Sequence, residues 1–149
     1  MKFTSEFSQK NKILIAVVML IIVASTIPVF FDEETKDNLI AKVIILAINV
    51  ACLILLGWII SKTYYTIKSK NLVCKSGPFK KEISIQNIRK IEVHKGIIVP
   101  AFWKLSLSDK GFIIHYNQFD DIYISPKNAD KFLTELLKIN PNIVIPSNV

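Results

Sequence analysis

The sequence predicts an integral membrane protein: an α-helical transmembrane hairpin joined to a small α+β domain, in which a bent antiparallel β-sheet or partial barrel is capped by one C-terminal helix. Three observations carry this. Two long apolar runs occupy the first 60 residues, short alternating runs replace them after Lys62, and an amphipathic helical period follows Ser125. Hydrophobic residues make up 51% of the 149-residue chain and mean hydropathy is +0.40, although 21% of residues are charged. The apolar residues crowd into residues 13–60 and most charges lie outside, so the chain divides into a membrane part and a soluble part.

Residues 1–12 read as a tail. Residues 13–31, ILIAVVMLIIVASTIPVFF, are 19 positions without a charge, and about 20 apolar residues span a hydrocarbon core at about 1.5 Å per residue. Pro28 lies near the end, where a kink or early exit costs little. The run exceeds a signal-peptide core and no A-x-A site follows, so it reads as an uncleaved anchor. Residues 32–38 form a short acidic loop, DEETKDN. Residues 39–60 form the second span, with Lys42 snorkelling at its start and Trp58, Tyr64 and Tyr65 near its far end as an aromatic belt. Both runs are apolar on every face, which suits lipid rather than a protein core. Lys2, Lys10 and Lys12 precede the first run; Lys62, Lys68, Lys70 and Lys75 follow the second; the loop between carries four acids and only Lys36. The positive-inside rule then places both termini in the cytoplasm of a cell membrane, as a two-helix, multi-pass protein. Asn49, the one strongly polar residue of residues 43–60, reads either as a helix–helix contact within the hairpin, or with a second copy in a homodimer, or as part of a polar path.

Residues 63–143 read as the folded domain and 144–149 as a tail. Residues 64–68 and 72–75 are apolar-alternating runs joined by Ser69-Lys70-Asn71, a hairpin signal. Ser76-Gly77-Pro78 breaks the pattern. Residues 81–85 alternate, and Ile88, Ile91 and Val93 continue one apolar face. Residues 104–108 alternate cleanly. Asp109-Lys110-Gly111 reads as a turn, with Gly111 at positive φ, into a return strand over 112–116. Residues 122–124 form a last short strand. Ser125-Pro126 reads as N-cap and first helical position. Ala129, Phe132, Leu133, Leu136 and Leu137 fall on one helical stripe, and Asn140-Pro141 ends it.

Six or seven short strands followed by one amphipathic helix is the order of a pleckstrin-homology (PH)-like domain. Tyr65-Thr66-Ile67, Leu72, Gly77-Pro78, Ile85-Gln86-Asn87-Ile88-Arg89-Lys90-Ile91, Leu105-Ser106-Leu107-Ser108-Asp109 and Ile124-Ser125-Pro126-Lys127-Asn128 leading into Phe132 make the region resemble the small bacterial PH-like domain of the YyaB-like and sublancin-immunity-like membrane proteins. The resemblance implies one or two transmembrane helices ahead of the domain, and for some relatives immunity to a bacteriocin. Where such proteins have a short polar link before the Leu-Ser strand, this chain has GIIVPAFW over residues 96–103.

Composition and motifs bound the function. From Ser61 onward 13 Lys and Arg89 face seven acids, so this part alone carries the chain's +7 excess, and a basic domain at a membrane is drawn to anionic headgroups. Nucleic acid is not an expected partner, because Arg is scarce and no recognition motif occurs. Cys52 and Cys74 are too few and too scattered for a disulfide scaffold. No cofactor is expected: there is no P-loop and no G-x-G-x-x-G. No metal is expected either, because His94 and His115 lack neighbours at ligand spacing. Ser106 and Ser108 have no nucleophile elbow and Asp120-Asp121 no acid–base partner, so the chain reads as a non-enzyme. Two features remain as candidate binding surfaces. One is the basic set Lys75, Lys80, Lys81, Arg89, Lys90 and Lys95. The other is an apolar contact loop with Ile97, Pro100, Phe102 and Trp103, which is either core or exposed. The expectation is a membrane-tethered binding or scaffold module for a protein, peptide or anionic lipid. The alternatives are a bacteriocin immunity protein, or a component of a small transport or enzyme complex.

Overall fold

A computed structural model of the chain describes residues 1–31, 38–96 and 98–146; the acidic loop up to Asp37 and Ile97 lie outside the described residues. The elements run β1 (Lys2–Thr4), α1 (Gln9–Ala24), α2 (Pro28–Phe31), α3 (Leu39–Ser61), β2 (Thr63–Lys68), β3 (Asn71–Ser76) and β4 (Phe79–Ser84). A 3₁₀ turn (Ile85–Asn87) then leads to β5 (Ile88–Lys95), β6 (Trp103–Lys104), β7 (Lys110–Tyr116), β8 (Asp120–Ile124) and α4 (Ala129–Ile139).

The stretches Gln9–Phe31 and Leu39–Ser61 are long and apolar enough to cross a membrane, and none of their apolar window is buried in the protein. Ser8 caps α1 by accepting from the Asn11 N–H, and Asn38 caps α3 by accepting from Ala41. The first stretch breaks where Pro28 requires: α1 ends at Ala24, and α2 restarts at the proline, the favoured first helical residue. The break frees Ser25, whose hydroxyl donates to Ile22 O and accepts from Asn49 Nδ2 at 3.3 Å. Asn49 therefore bonds across the helical hairpin within the chain.

The domain is built of two four-stranded sheets, ordered β1-β2-β3-β4 and β5-β7-β8-β6, rather than one bent sheet. The strands pair antiparallel except β6, which lies parallel to β8. The core between the sheets holds Tyr65, Leu72, Ile114, Ile122 and Ile124, and the apolar stripe of α4 closes it with Phe132 and Leu136. Phe132 meets Phe3 of β1 edge-on at 5.2 Å between ring centres.

Five expectations are corrected by this arrangement. Residues 1–12 are not simply a tail: Lys2–Thr4 pairs with Tyr64–Thr66 of β2, because Phe3 fills a place in the core. Likewise Val144, read as the start of a tail, bonds to Arg89 and Ile91 along β5. Residues 104–108 are not a strand paired with 112–116. After Lys104 the chain leaves the sheet, burying Leu105 and Leu107, while β7 pairs with β5 and β8. Gly111 is not a turn residue at positive φ; it lies inside β7, where a Cβ would run into Ile124 O and lie 3.0 Å from the Tyr123 ring. Ser125 does not cap the helix: it is buried, its N–H donates to the Tyr65 hydroxyl, its Oγ lies 2.6 Å from Ser106 Oγ, and the helix starts after Asn128.

Candidate functional site

The passage from α3 into the domain has no slack. The Lys62 N–H donates to Trp58 O, the Thr63 hydroxyl to Ile59 O at 2.6 Å, and the Gly77 N–H to Lys62 O. Gly77, at φ 55°, sits so close to α3 that a Cβ would lie 2.9 Å from Ile59 Cγ1. On the other side, Ser5 N donates to Thr63 O and Glu6 N to Ser125 O, leading into α1. Lys10, in the first turn of α1, lies 4.0 Å from the Asp109 carboxylate, which hydrogen bonding from Ser8, with Lys10 and Lys110 adding charge, holds below the usual carboxylate range. Both long helices are thus pinned to the domain at their first or last turn.

At the foot of α3 these contacts leave a cleft of about 310 Å³ lined by Lys2, Thr4, Trp58, Ser61, Lys62, Thr63, Tyr64 and Lys75. Its three lysines come from β1, the end of α3 and β3. Two converge on one ring: Lys2 Nζ lies 4.1 Å and Lys75 Nζ 5.9 Å from the centre of Tyr64. Among the described residues no acidic side chain lines the cleft. Across β1 a groove of about 180 Å³ shares Lys2 and Thr4 and adds Lys127, Asn128 and Lys131, again without a carboxylate among the described residues. The two hollows together form a lysine band on either side of β1.

The expected basic set is not brought together. Lys75, Lys80 and Lys81 lie on the β3–β4 pair, whereas Arg89, Lys90 and Lys95 lie on β5 in the other sheet. Several are already matched: Lys80 with Glu82 at 3.6 Å, Lys90 with Glu92, Arg89 with Gln118 O at 2.7 Å, and Lys81 over the Trp103 ring at 5.6 Å. The Lys90 hydrogen bond, with Lys90 and His115 charge behind it, also keeps the Glu92 carboxyl below its ordinary range. Of the set, only Lys75 lines the cleft. Lys2 and Lys62 counted in the sequence only towards orientation. Lys127 and Lys131 gave no signal as part of a site, because they meet Lys2 only when β1 adds to the sheet beside the start of α4.

The apolar loop divides. Trp103 packs against the core, while Pro100 is exposed and Phe102 is 87% exposed, its N–H donating to Asp121 Oδ1. Ile97 lies outside the described residues. His94 Nε2 lies 2.9 Å from Ile98 O, and His115 faces Glu92 at 3.6 Å. Among the described residues no three His, Cys, Asp or Glu side chains gather to hold a metal ion. Burial pushes the Cys74 thiol up to about 12, which leaves it inert as a nucleophile.

This architecture of two sheets closed by a C-terminal helix agrees with comparison against known families: the family described as bacterial PH domain matches residues 63–140, more than half of the chain. Neither the curated proteins nor the solved structures gave a match. PH domains are in general binding modules rather than catalysts. By this match, and by the order of its strands and helix, the chain belongs to the bacterial PH domain family.

Proposed function

We propose that the protein is a membrane-tethered PH-like binding or scaffold module, without catalysis, held on the cytoplasmic face of the cell membrane by its two long helices. One observation carries the reading: α1 and α3 run into the domain without a free linker, through Glu6–Ser125 and Lys10–Asp109 at one and Thr63–Ile59 at the other, while their apolar surfaces face outward. A domain joined in this way rides against the headgroups, and its surface near the helix ends is where a ligand is met. The excess of lysine on that side fits an anionic inner leaflet.

The test uses single cysteines in a Cys52→Ser background, since Cys74 is buried. In intact cells a membrane-impermeant maleimide labels Thr35→Cys, whereas Lys70→Cys labels only after lysis. The reverse pattern overturns the orientation, and release of the protein by alkaline carbonate overturns the tethering. The bacteriocin immunity implied by the resemblance is a narrower form of this reading, supported if deletion sensitises a producing strain to its own peptide.

A further inference from the structure

We infer that the cleft at the foot of α3 is a binding site for one phosphate-bearing anionic group, supplied by the headgroup of a neighbouring anionic phospholipid. The inference deepens the tethered reading and, for the lipid as source, rests on it. Three ammonium groups converge on the cleft from separate segments, and none of them forms an ion pair with a described carboxylate. Lys2 and Lys75 both lie against the Tyr64 ring, so two like charges sit near one another, and among the described residues no carboxylate lines the cleft. An anion seated in the cleft offsets that charge and gains charge-assisted hydrogen bonds.

The volume, about 310 Å³, sits at the lower end of the range of small-ligand sites, roughly 300–1,000 Å³. The Ser61 and Tyr64 hydroxyls add hydrogen-bonding groups, and Trp58, at 47% exposure, presents an indole where the apolar surface of Leu39–Ser61 gives way to polar residues. Lys127 and Lys131 across β1 extend the positive field without closing the cleft. Five of the eight lining residues precede residue 63, so the site is not conferred by the match to the family domain over 63–140. It arises where the ends of the helical region meet the sheet.

The experiment uses the full chain in nanodiscs of phosphatidylcholine containing a minority of phosphatidylglycerol, with bound phosphatidylglycerol counted by mass spectrometry of the ejected protein. The triple variant Lys2→Gln, Lys62→Gln, Lys75→Gln is expected to retain at least about tenfold less, because each lysine near an anionic surface adds to the attraction. The matching triple to Arg keeps it, as does the control Lys80→Gln, Lys90→Gln, Lys95→Gln. Unchanged retention in the first triple, or an equal loss in the control, overturns the site. A second arm titrates glycerol phosphate into detergent-solubilised protein and follows phosphorus NMR line width. Saturation there that the cleft triple abolishes, without phosphatidylglycerol retention, supports the phosphate site and reassigns its source to a soluble ester. If carbonate releases the protein from membranes, the tethering fails, while this arm still judges the cleft.

Discussion

Tyr65 shows how one side chain ties the two sheets together. Its hydroxyl donates to Leu105 O at 2.7 Å, accepts from the Ser125 N–H at 3.1 Å, and is pushed up to about 12 by burial. Tyr65→Phe leaves both backbone partners buried and unpaired, so unfolding in denaturant is expected to show a loss of about 1–3 kcal/mol. Ser125→Ala keeps that N–H and is expected to lose less. Gly111 acts by the absence of a side chain. Because the nearest obstacle to a Cβ is the Ile124 carbonyl of β8, Gly111→Ala must displace a strand, and a loss of about 3 kcal/mol or more is expected in the same measurement. Neither role was legible in the sequence. Asp109-Lys110-Gly111 has the local chemistry of a turn and Ser125-Pro126 that of a helix start, and in both cases a contact with a distant strand decided the outcome. The alternation over 104–108 misled in the same way: Leu105 and Leu107 are buried as a strand would bury them, but Ser106 turns to bond Ser108 and Ser125 instead of a sheet neighbour.

The elements that were legible carry their signal within themselves. The two long apolar runs, the β2–β3 pair and the stripe of α4 each have a period repeated often enough to read. β1 has three residues and one apolar position, and its partner lies some sixty residues on, so nothing local announces it. The cleft was hidden for the same reason, since its lysines belong to three segments that the β1–β2 and β2–β3 pairings bring together. At this scale the joint between α1 and the domain is sensitive to acid. The Ser8 hydroxyl, then Lys10 and Lys110, hold Asp109 below its unfolded value. Its contribution is therefore present above the ordinary aspartate range, about pH 4, and is lost as pH falls through the lower folded value. Hydrogen-exchange protection at residues 5–8, taken relative to the intrinsic rate at each pH, is expected to be high at neutral pH and to fall at lower pH, and Asp109→Asn to remove that dependence. Across the hairpin, a double-mutant cycle of Asn49→Ala with Ser25→Ala in detergent is expected to show coupling on the order of 0.6 kcal/mol; no coupling would mean that the 3.3 Å contact contributes nothing.

For the whole molecule, the sequence separated an apolar from a basic region correctly and anticipated the domain's class, but it treated the two as parts laid end to end. Thr4 stands opposite Tyr64 in the register, and Ser5 N donates to Thr63 O. β1 and β2 are thus the two arms of a single β-hairpin, and everything from Glu6 to Lys62 is its loop. Removing the apolar region by truncating the N-terminus would take a strand from the sheet and Phe3 from the core. Cutting out residues 6–62 and closing Ser5 to Thr63 with Asn-Gly, a turn suited to two antiparallel strands, is expected instead to give a soluble domain. Its cooperative unfolding should be lost when residues 1–4 are also deleted. The apolar region thus enters the domain between two paired strands, as an insertion would.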